Sequence, residues 1–490
     1  MTMNRRCAVA VAGAVTLVGT LLGAGTGSAQ PPTSAAPSEP LISLRRANDV
    51  VVAEAYRSKV YVNPGIWLVA GDAGFEARAY RPSYRESIQA EMLTPGGTVT
   101  LTDVAMRSFR GLPQFTRVKV SELDGTVVVN RTTRFCPGYE RVRVRQDAPD
   151  TPTYPSGCWY RHPYTLGAVY GVDPGWAVPL VGEYGGIRMK LPLGRYDVSV
   201  RITDAYREVL GLDPNEGIAQ VRLRVVKGEE HDYFAKPNRA TTASESEAAL
   251  EPVLGTAPRG PSRVPGAEAR PDLRSLPAFA IQLNRRGFLQ FAATVWNAGP
   301  SPLVIDGFRR DGEDVMDAYQ YFYDADMQQV GHEEVGTMIW HNAEQHHHWH
   351  FTDFARYRLL DADEVGVVRS RKESFCLANT DAVDYTVEGA NWHPEGTDLH
   401  TACGDFSSIG VREVLDSGSG DTYYQWLPGQ SFNVKHLPNG TYFIAVEANP
   451  VGNLSEVSTA NNISYRKVIL KGSGDNRRVV VPKIGIIDER

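Results

Sequence analysis

Apolar and polar residues alternate at period two along most of this chain. TVTLTDVAM (98–106), FTRVKVSEL (115–123) and IAQVRLRVV (218–226) carry the pattern in the first half; FLQFAATVWNAG (288–299), FARYRLLDA (354–362) and GTYFIAVEANP (440–450) carry it in the second. Successive side chains of a strand point to opposite faces, so these segments predict half-buried strands. The tract KPNRATTASESEAALEPVLGTAPRGPSRVPGAEARPD (236–272) breaks the alternation, and its Ala, Ser, Glu, Pro and Gly cannot bury a core. A linker over 228–272 is therefore expected, separating an N-terminal β domain (44–227) from a C-terminal one (273–472), with a tail at 473–490. The Pro- and Ser-rich start, 30–43, reads as disordered. A sheet with one apolar face must pack on another layer, so the expected class is all-β, with two β-sandwich domains.

One internal echo supports the sandwich. LPLGRYDVSVRI (191–202) matches LPNGTYFIAVEA (437–448) at Leu, Pro, Gly, Tyr and Val in the same register. A Leu, a Gly and then a Tyr opening an alternating strand resembles the tyrosine corner of immunoglobulin-like sandwiches, in which the phenol ties the turn back to the backbone. Tyr196 and Tyr442 would play that part; two ordinary turn–strand units are the plainer alternative.

The first 29 residues have the form of an export signal. Arg5 and Arg6 precede an apolar stretch from Cys7 to about Gly25, and Gly27-Ser28-Ala29 offers small residues before a cut. The chain of 490 residues carries 51 basic and 57 acidic side chains, net −6; removing 1–29 takes two Arg and no acid, leaving 49 − 57 = −8. No basic block suits nucleic acid, and beyond the signal no apolar run has membrane-spanning length. With 46 Gly and 31 Pro, turns and short strands are favoured over long helices. Cleavage also removes Cys7. An even four, Cys136, Cys158, Cys376 and Cys403, then predicts two disulfides in an exported protein. The long gap in the middle favours Cys136–Cys158 and Cys376–Cys403, one per domain, and no CxxC spacing suggests zinc.

The candidate chemistry is concentrated. Of 11 His, five lie within WHNAEQHHHWH, Trp340 to His350. His346, His348 and His350 form H-x-H-x-H and on a strand share one face, with His347 and Trp349 on the other. Convergent imidazoles suit Cu, Zn, Ni or Fe(II). A His-rich surface loop is the plainer reading.

Four blocks in order, WHNAEQHHHWHFTDFARYRLLDAD, RKESFC, GDTYYQWLPGQSF and LPNGTYFIAVEANPVGNLSEVSTANN, together resemble the catalytic domain of the lysyl oxidase family over roughly 273–472. The resemblance implies copper on His346, His348 and His350. It also implies a lysine tyrosylquinone joining Lys372, in the K-x-S-F-C block, to Tyr423, in the D-x-Y block seven residues before Gln430. Tyr424 is the rival precursor. The implied activity is a secreted copper amine oxidase, turning primary amines or protein lysines into aldehydes with O2 and releasing H2O2 and ammonia. Ala343 and Glu344 depart from the animal pattern. The catalytic base is not readable, with Asp353 and Asp421 as candidates, and His341, His393 and His400 are possible further ligands or supports, surface histidines being the plainer reading for each. The other readings are a secreted copper-binding or surface-interaction protein without a quinone, and a zinc hydrolase. The N-terminal half resembles no family, and its role is open.

Overall fold

The computed structural model describes residues 41–56, 59–158, 160–181, 186–228, 257–343, 346–370, 372, 374–393 and 399–483. The expected export signal, most of the Pro/Ser-rich start and residues 229–256 of the expected linker lie outside them. The described chain is all-β, from Ile42–Arg46 to Arg478–Val480, with one α-helix, Asp204–Val209, among the described residues. No helix among those residues is long and apolar enough to cross a membrane.

The first half is organised by a seven-stranded sheet. Its spatial order is Ile187–Met189, Lys59–Val62, Val50–Tyr56, Ile218–Lys227, Gly194–Ile202, Leu112–Glu122 and Val127–Phe135. Alternation sets the faces: in Ile218–Lys227, Ala219, Val221, Leu223 and Val225 are buried while Gln220, Arg222 and Arg224 are exposed. This strand pairs in parallel with Val50–Tyr56.

The second half has three antiparallel sheets. In the first, Phe288–Asn297 lies between Leu273–Ser275 and Ser419–Tyr423, and Asp381–Ala382 extends the row. In the second, His346–Thr352 lies between Ser374–Phe375 and Gln329–Ala343, and the sheet continues to Gly410–Leu415. The third is centred on Gly440–Ala448, and its last strand, Arg478–Val480, occupies the start of the expected tail. Phe291, Phe351, Phe354, Phe375, Trp349 and Phe432 fill the core between the sheets and are essentially inaccessible.

Both echoed corners close as the sequence predicts. The Tyr196 hydroxyl donates to the Pro192 carbonyl at 2.9 Å, and that of Tyr442 to the Pro438 carbonyl at 2.9 Å. The two expected disulfides are also present, with Cα–Cα distances of 5.8 Å for Cys136–Cys158 and 6.1 Å for Cys376–Cys403, inside the range a bridge needs.

The halves touch directly. The Leu166 amide donates to the Val383 carbonyl at 2.7 Å, Tyr160 meets Tyr385 edge-on with ring centroids 5.8 Å apart, and Tyr164, Leu166, Leu276, Trp296 and Val383 form a small shared apolar cluster. Within the expected linker, residues 257–272 are described. There Arg263 exchanges backbone hydrogen bonds of 2.8 and 3.0 Å with His332, extending the second-half sheet.

Candidate active site

The strand His346–Thr352 pairs with Gln329–Ala343 so that His341 lies opposite His348 and Ala343 opposite His346. Directly opposed residues of an antiparallel pair project to the same face. His341 therefore joins the face on which alternation puts His346, His348 and His350. Its ring stacks on His350 with centroids 4.8 Å apart, and His348 lies 4.7 Å from His350. The side chain of His346 is not among those described. On the other face Trp349 is fully buried, its indole N–H donating to the Asp405 carbonyl at 2.8 Å, while His347 is exposed. The tryptophan anchors the strand so that the histidine face is presented. Among the described residues no group of three or more His, Cys, Asp or Glu is arranged to hold a metal ion. The donor set fits one chemically, since neighbouring imidazoles on one strand pair suit Cu, Zn, Ni or Fe(II).

The Lys372–Cys376 segment is the hub of the site. Lys372 Nζ lies 4.2 Å from the centroid of the Tyr423 ring and 4.8 Å from that of Phe375. Ser374 Oγ lies 3.3 Å from His350 Nδ1, linking this segment to the histidine face. Phe375 packs edge-on against Tyr423 with centroids 5.0 Å apart. The Tyr423 hydroxyl donates to the Cys376 carbonyl at 3.0 Å, and the Cys376–Cys403 bridge fixes that carbonyl's segment. Tyr424 leaves the opposite side of the strand and stacks on Trp426 at 4.7 Å. Gly429 makes room for the lysine: its φ is +83°, and a Cβ there would come within 2.7 Å of Lys372 Cβ. A glycine satisfies both demands at once.

Burial sets the electrostatics. Desolvation lowers the Lys372 amine to about 8, against a smaller opposing pull from Asp421. Burial, then the carboxyls of Asp421 and Glu413, push the Tyr423 phenol well above its ordinary value. Asp421 is itself 4% exposed, and burial drives its carboxyl well up although Lys372 favours the charged form.

Two residues of the site were not singled out in the sequence. Glu413 is fully buried, and its two oxygens accept the Phe351 amide at 3.1 Å and the Leu377 amide at 2.9 Å. It thus ties the histidine strand to the segment just after Cys376. Alternation in GVREVL would have turned Glu413 inward with Val411 and Leu415, and a charged residue at a core position is the signal that could have found it. The second is His162, in the first half. Its Nδ1 accepts the Tyr164 amide at 3.2 Å, so Nε2 carries the proton and donates to Thr294 Oγ1 at 2.9 Å. Thr294 Oγ1 lies 2.8 Å from Thr422 Oγ1, between Asp421 and Tyr423 in sequence. Burial lowers the imidazole to about 3, keeping it neutral. Of the remaining candidates, His393 Nε2 lies 2.9 Å from the Thr153 carbonyl, away from this set, and Asp353 leaves the histidine strand in a left-handed turn, φ 60°.

The last sequence block is structural. Glu456 accepts from Asn449 at 2.7 Å, Asn462 at 2.8 Å and the Leu273 amide at 3.0 Å, clamping the loop between two strands to the first strand of the half.

The lysyl oxidase family model matches residues 322–480. Lysyl oxidase homolog 4 of Mus musculus is 29% identical over 127 residues, 26% of this chain and 15% of that protein. Lysyl oxidase homolog 3B of Danio rerio is 29% identical over 127 residues, covering 26% and 14%, and lysyl oxidase homolog 4 of Homo sapiens is 28% identical over 127 residues, covering 26% and 15%. The shared segment is thus a small part of each relative's length. The C-terminal half of this chain resembles the lysyl oxidase family, over residues 322–480.

Proposed function

We propose that the C-terminal half is a copper-dependent amine oxidase that converts primary amines, free or on protein lysines, to aldehydes with O2, releasing H2O2 and ammonia. The observation that carries this reading is the Lys372 amine over the Tyr423 ring at 4.2 Å. A lone surface lysine would not be desolvated against a half-buried phenol ring one residue block from a histidine face. His346, His348 and His350 would hold the copper, with His341 beside them; Lys372 and Tyr423 would become the lysine tyrosylquinone. When bound, copper supports oxidation of the phenol by O2, and the quinone supplies an electrophilic carbonyl and a two-electron sink for the amine.

The chain's own groups suit these roles. With its pKa near 8, about a tenth of the Lys372 amine is neutral at pH 7, so a nucleophile stands at the ring without an external base. Ser374 Oγ lies against His350 Nδ1 and orients the ring. Gly429 and Phe375 hold the lysine chain and the phenol edge in contact. The reading includes export of the chain and takes each half as a β-sandwich, supported by the two closed corners. The test is amine-dependent peroxide release by copper-loaded protein. Peroxide that needs Lys372 and Tyr423 supports the enzyme; tight copper binding without peroxide leaves a copper-binding protein instead.

A further inference from the structure

Three carboxyls stand around Lys372 and Tyr423, and their surroundings assign them different work. Glu413 has both oxygens engaged by backbone amides, which fixes it as a brace between two segments. Asp381 pairs with Gly420 across the strand, and so lies on the face of Gly420 and Thr422, opposite Tyr423. Asp421 shares the Tyr423 face, two residues earlier on Ser419–Tyr423, with the two Cα atoms about 6.6 Å apart. It is 4% exposed, and its Oδ2 is buried with no hydrogen-bond partner. A buried carboxyl oxygen left without a donor is costly. It is retained where a proton must be taken up.

We propose that Asp421 is the catalytic base, and that it serves before that as the counter-ion of Lys372. This rests on the amine-oxidase reading and deepens it. In the unprocessed site, the lysine cation favours the Asp421 carboxylate. Joining the lysine nitrogen to the ring removes that cation, because the nitrogen becomes a ring-conjugated amine. The groups then facing Asp421 are the former tyrosine ring, Tyr357, Glu413 and, through the strand, Asp381; none of them carries a positive charge, and the carboxylate's proton affinity rises. The site thus makes its base stronger by completing its cofactor. During turnover the C–H bond on the substrate carbon bearing the amine breaks. With the amine condensed on the quinone carbonyl and one water lost, that proton would go to Asp421 Oδ2 and the electron pair into the ring; one water would then release the aldehyde and leave the nitrogen on the reduced ring, O2 would take two electrons and two protons as H2O2, and a second water would free ammonia.

The test uses full-length protein, copper-loaded in air, as wild type, Asp421→Asn and Asp421→Glu. Three things are read: the Lys372–Tyr423 cross-link by mass spectrometry, adduct formation with phenylhydrazine, and the anaerobic rate of cofactor reduction by an amine and its α-dideuterated form. Asp421→Asn should form the cross-link and the adduct, yet be reduced at least ~100-fold more slowly. Asp421→Glu should recover part of that rate with a shifted ascending pH limb. A cross-linked Asp421→Asn protein reduced at the wild-type rate overturns the assignment. So does failure of Asp421→Asn and Asp421→Glu to cross-link while wild type does, which would make Asp421 an assembly residue. Wild type without cross-link or peroxide would sink the amine-oxidase reading and the base with it.

Discussion

The two halves of the molecule share a tyrosine corner and carry one short-range disulfide each, yet bury very different groups. The first half buries few ionisable side chains: Asp173, Arg207 and the neutral His162. Among the described residues the second buries Asp272, Asp306, Asp384, Arg412, Glu413, Asp416, Asp421, Glu447, Glu456 and Arg466 beside His350. Burying a charge costs free energy unless it is paired or hydrogen-bonded. A half that tolerates so many has either matched each one or left it open for chemistry. Asp306 and Arg412 are matched by two bonds of 2.7 and 2.6 Å, and Glu456 by three donors; Asp421 is left open. Asp421, with its Oδ2 unpartnered, lies on the same strand face as Tyr423.

The sharpest way to break that contrast is to remove the reacting pair. Lys372→Ala and Tyr423→Phe should each abolish the cross-link and amine oxidation while copper remains bound, and Tyr424→Phe should keep all three. Activity surviving Tyr423→Phe but lost in Tyr424→Phe would move the precursor by one residue. Next in size is the matched pair. Asp306→Ala takes the carboxylate from a buried guanidinium and should cost about 3–5 kcal/mol in a urea melt of the whole chain.

The disulfides sharpen the comparison further. They close 22 and 27 residues, so by loop entropy each stabilises by roughly 3.5 kcal/mol. Cys136→Ser with Cys158→Ser and Cys376→Ser with Cys403→Ser should therefore lower stability alike, but only the second pair should slow cross-linking. It frees the segment whose Cys376 carbonyl holds the Tyr423 hydroxyl. Equal cross-linking rates in the two double mutants would remove that link.

Smaller in scale is a pH effect confined to the second half. The Lys372 pKa is lowered from 10.5 to about 8 in the folded chain, so its reactive neutral form grows as pH rises and levels off above about 8. Cross-linking under stopped copper loading should accelerate about tenfold per pH unit below that point. The same burial disfavours the folded state below pH 8 and is relieved as pH rises from about 8 towards the unfolded value of 10.5. Smallest of all, Tyr196→Phe and Tyr442→Phe should each cost about 1 kcal/mol, because the two corners make the same bond.

Much of this was legible because it is local. Period-two alternation marks strands such as Ile218–Lys227, and the H-x-H-x-H spacing sets a shared face without any knowledge of neighbours. The corners were visible because the donor and acceptor are four residues apart. What stayed hidden depends on long-range meetings. His341 joins the histidine face only through the hairpin register. Glu413 acts across 62 residues on Phe351, and His162 reaches Thr294 across 132, so neither partner can be read from its own segment, although alternation in GVREVL turns Glu413 inward. At the end of the expected linker, the backbone pairing of Arg263 with His332 was hidden for a related reason: it needs no apolar side chain and leaves no periodic trace.

The central claim is that Lys372 and Tyr423 meet in order to be joined. The most direct measurement is mass spectrometry of a digest of the wild-type chain after copper loading in air, beside the same digest prepared with a copper chelator. The account predicts a covalent Lys372–Tyr423 peptide pair in the first sample and unmodified Lys372 and Tyr423 peptides in the second. Unmodified peptides in both samples, with copper fully bound, would contradict it.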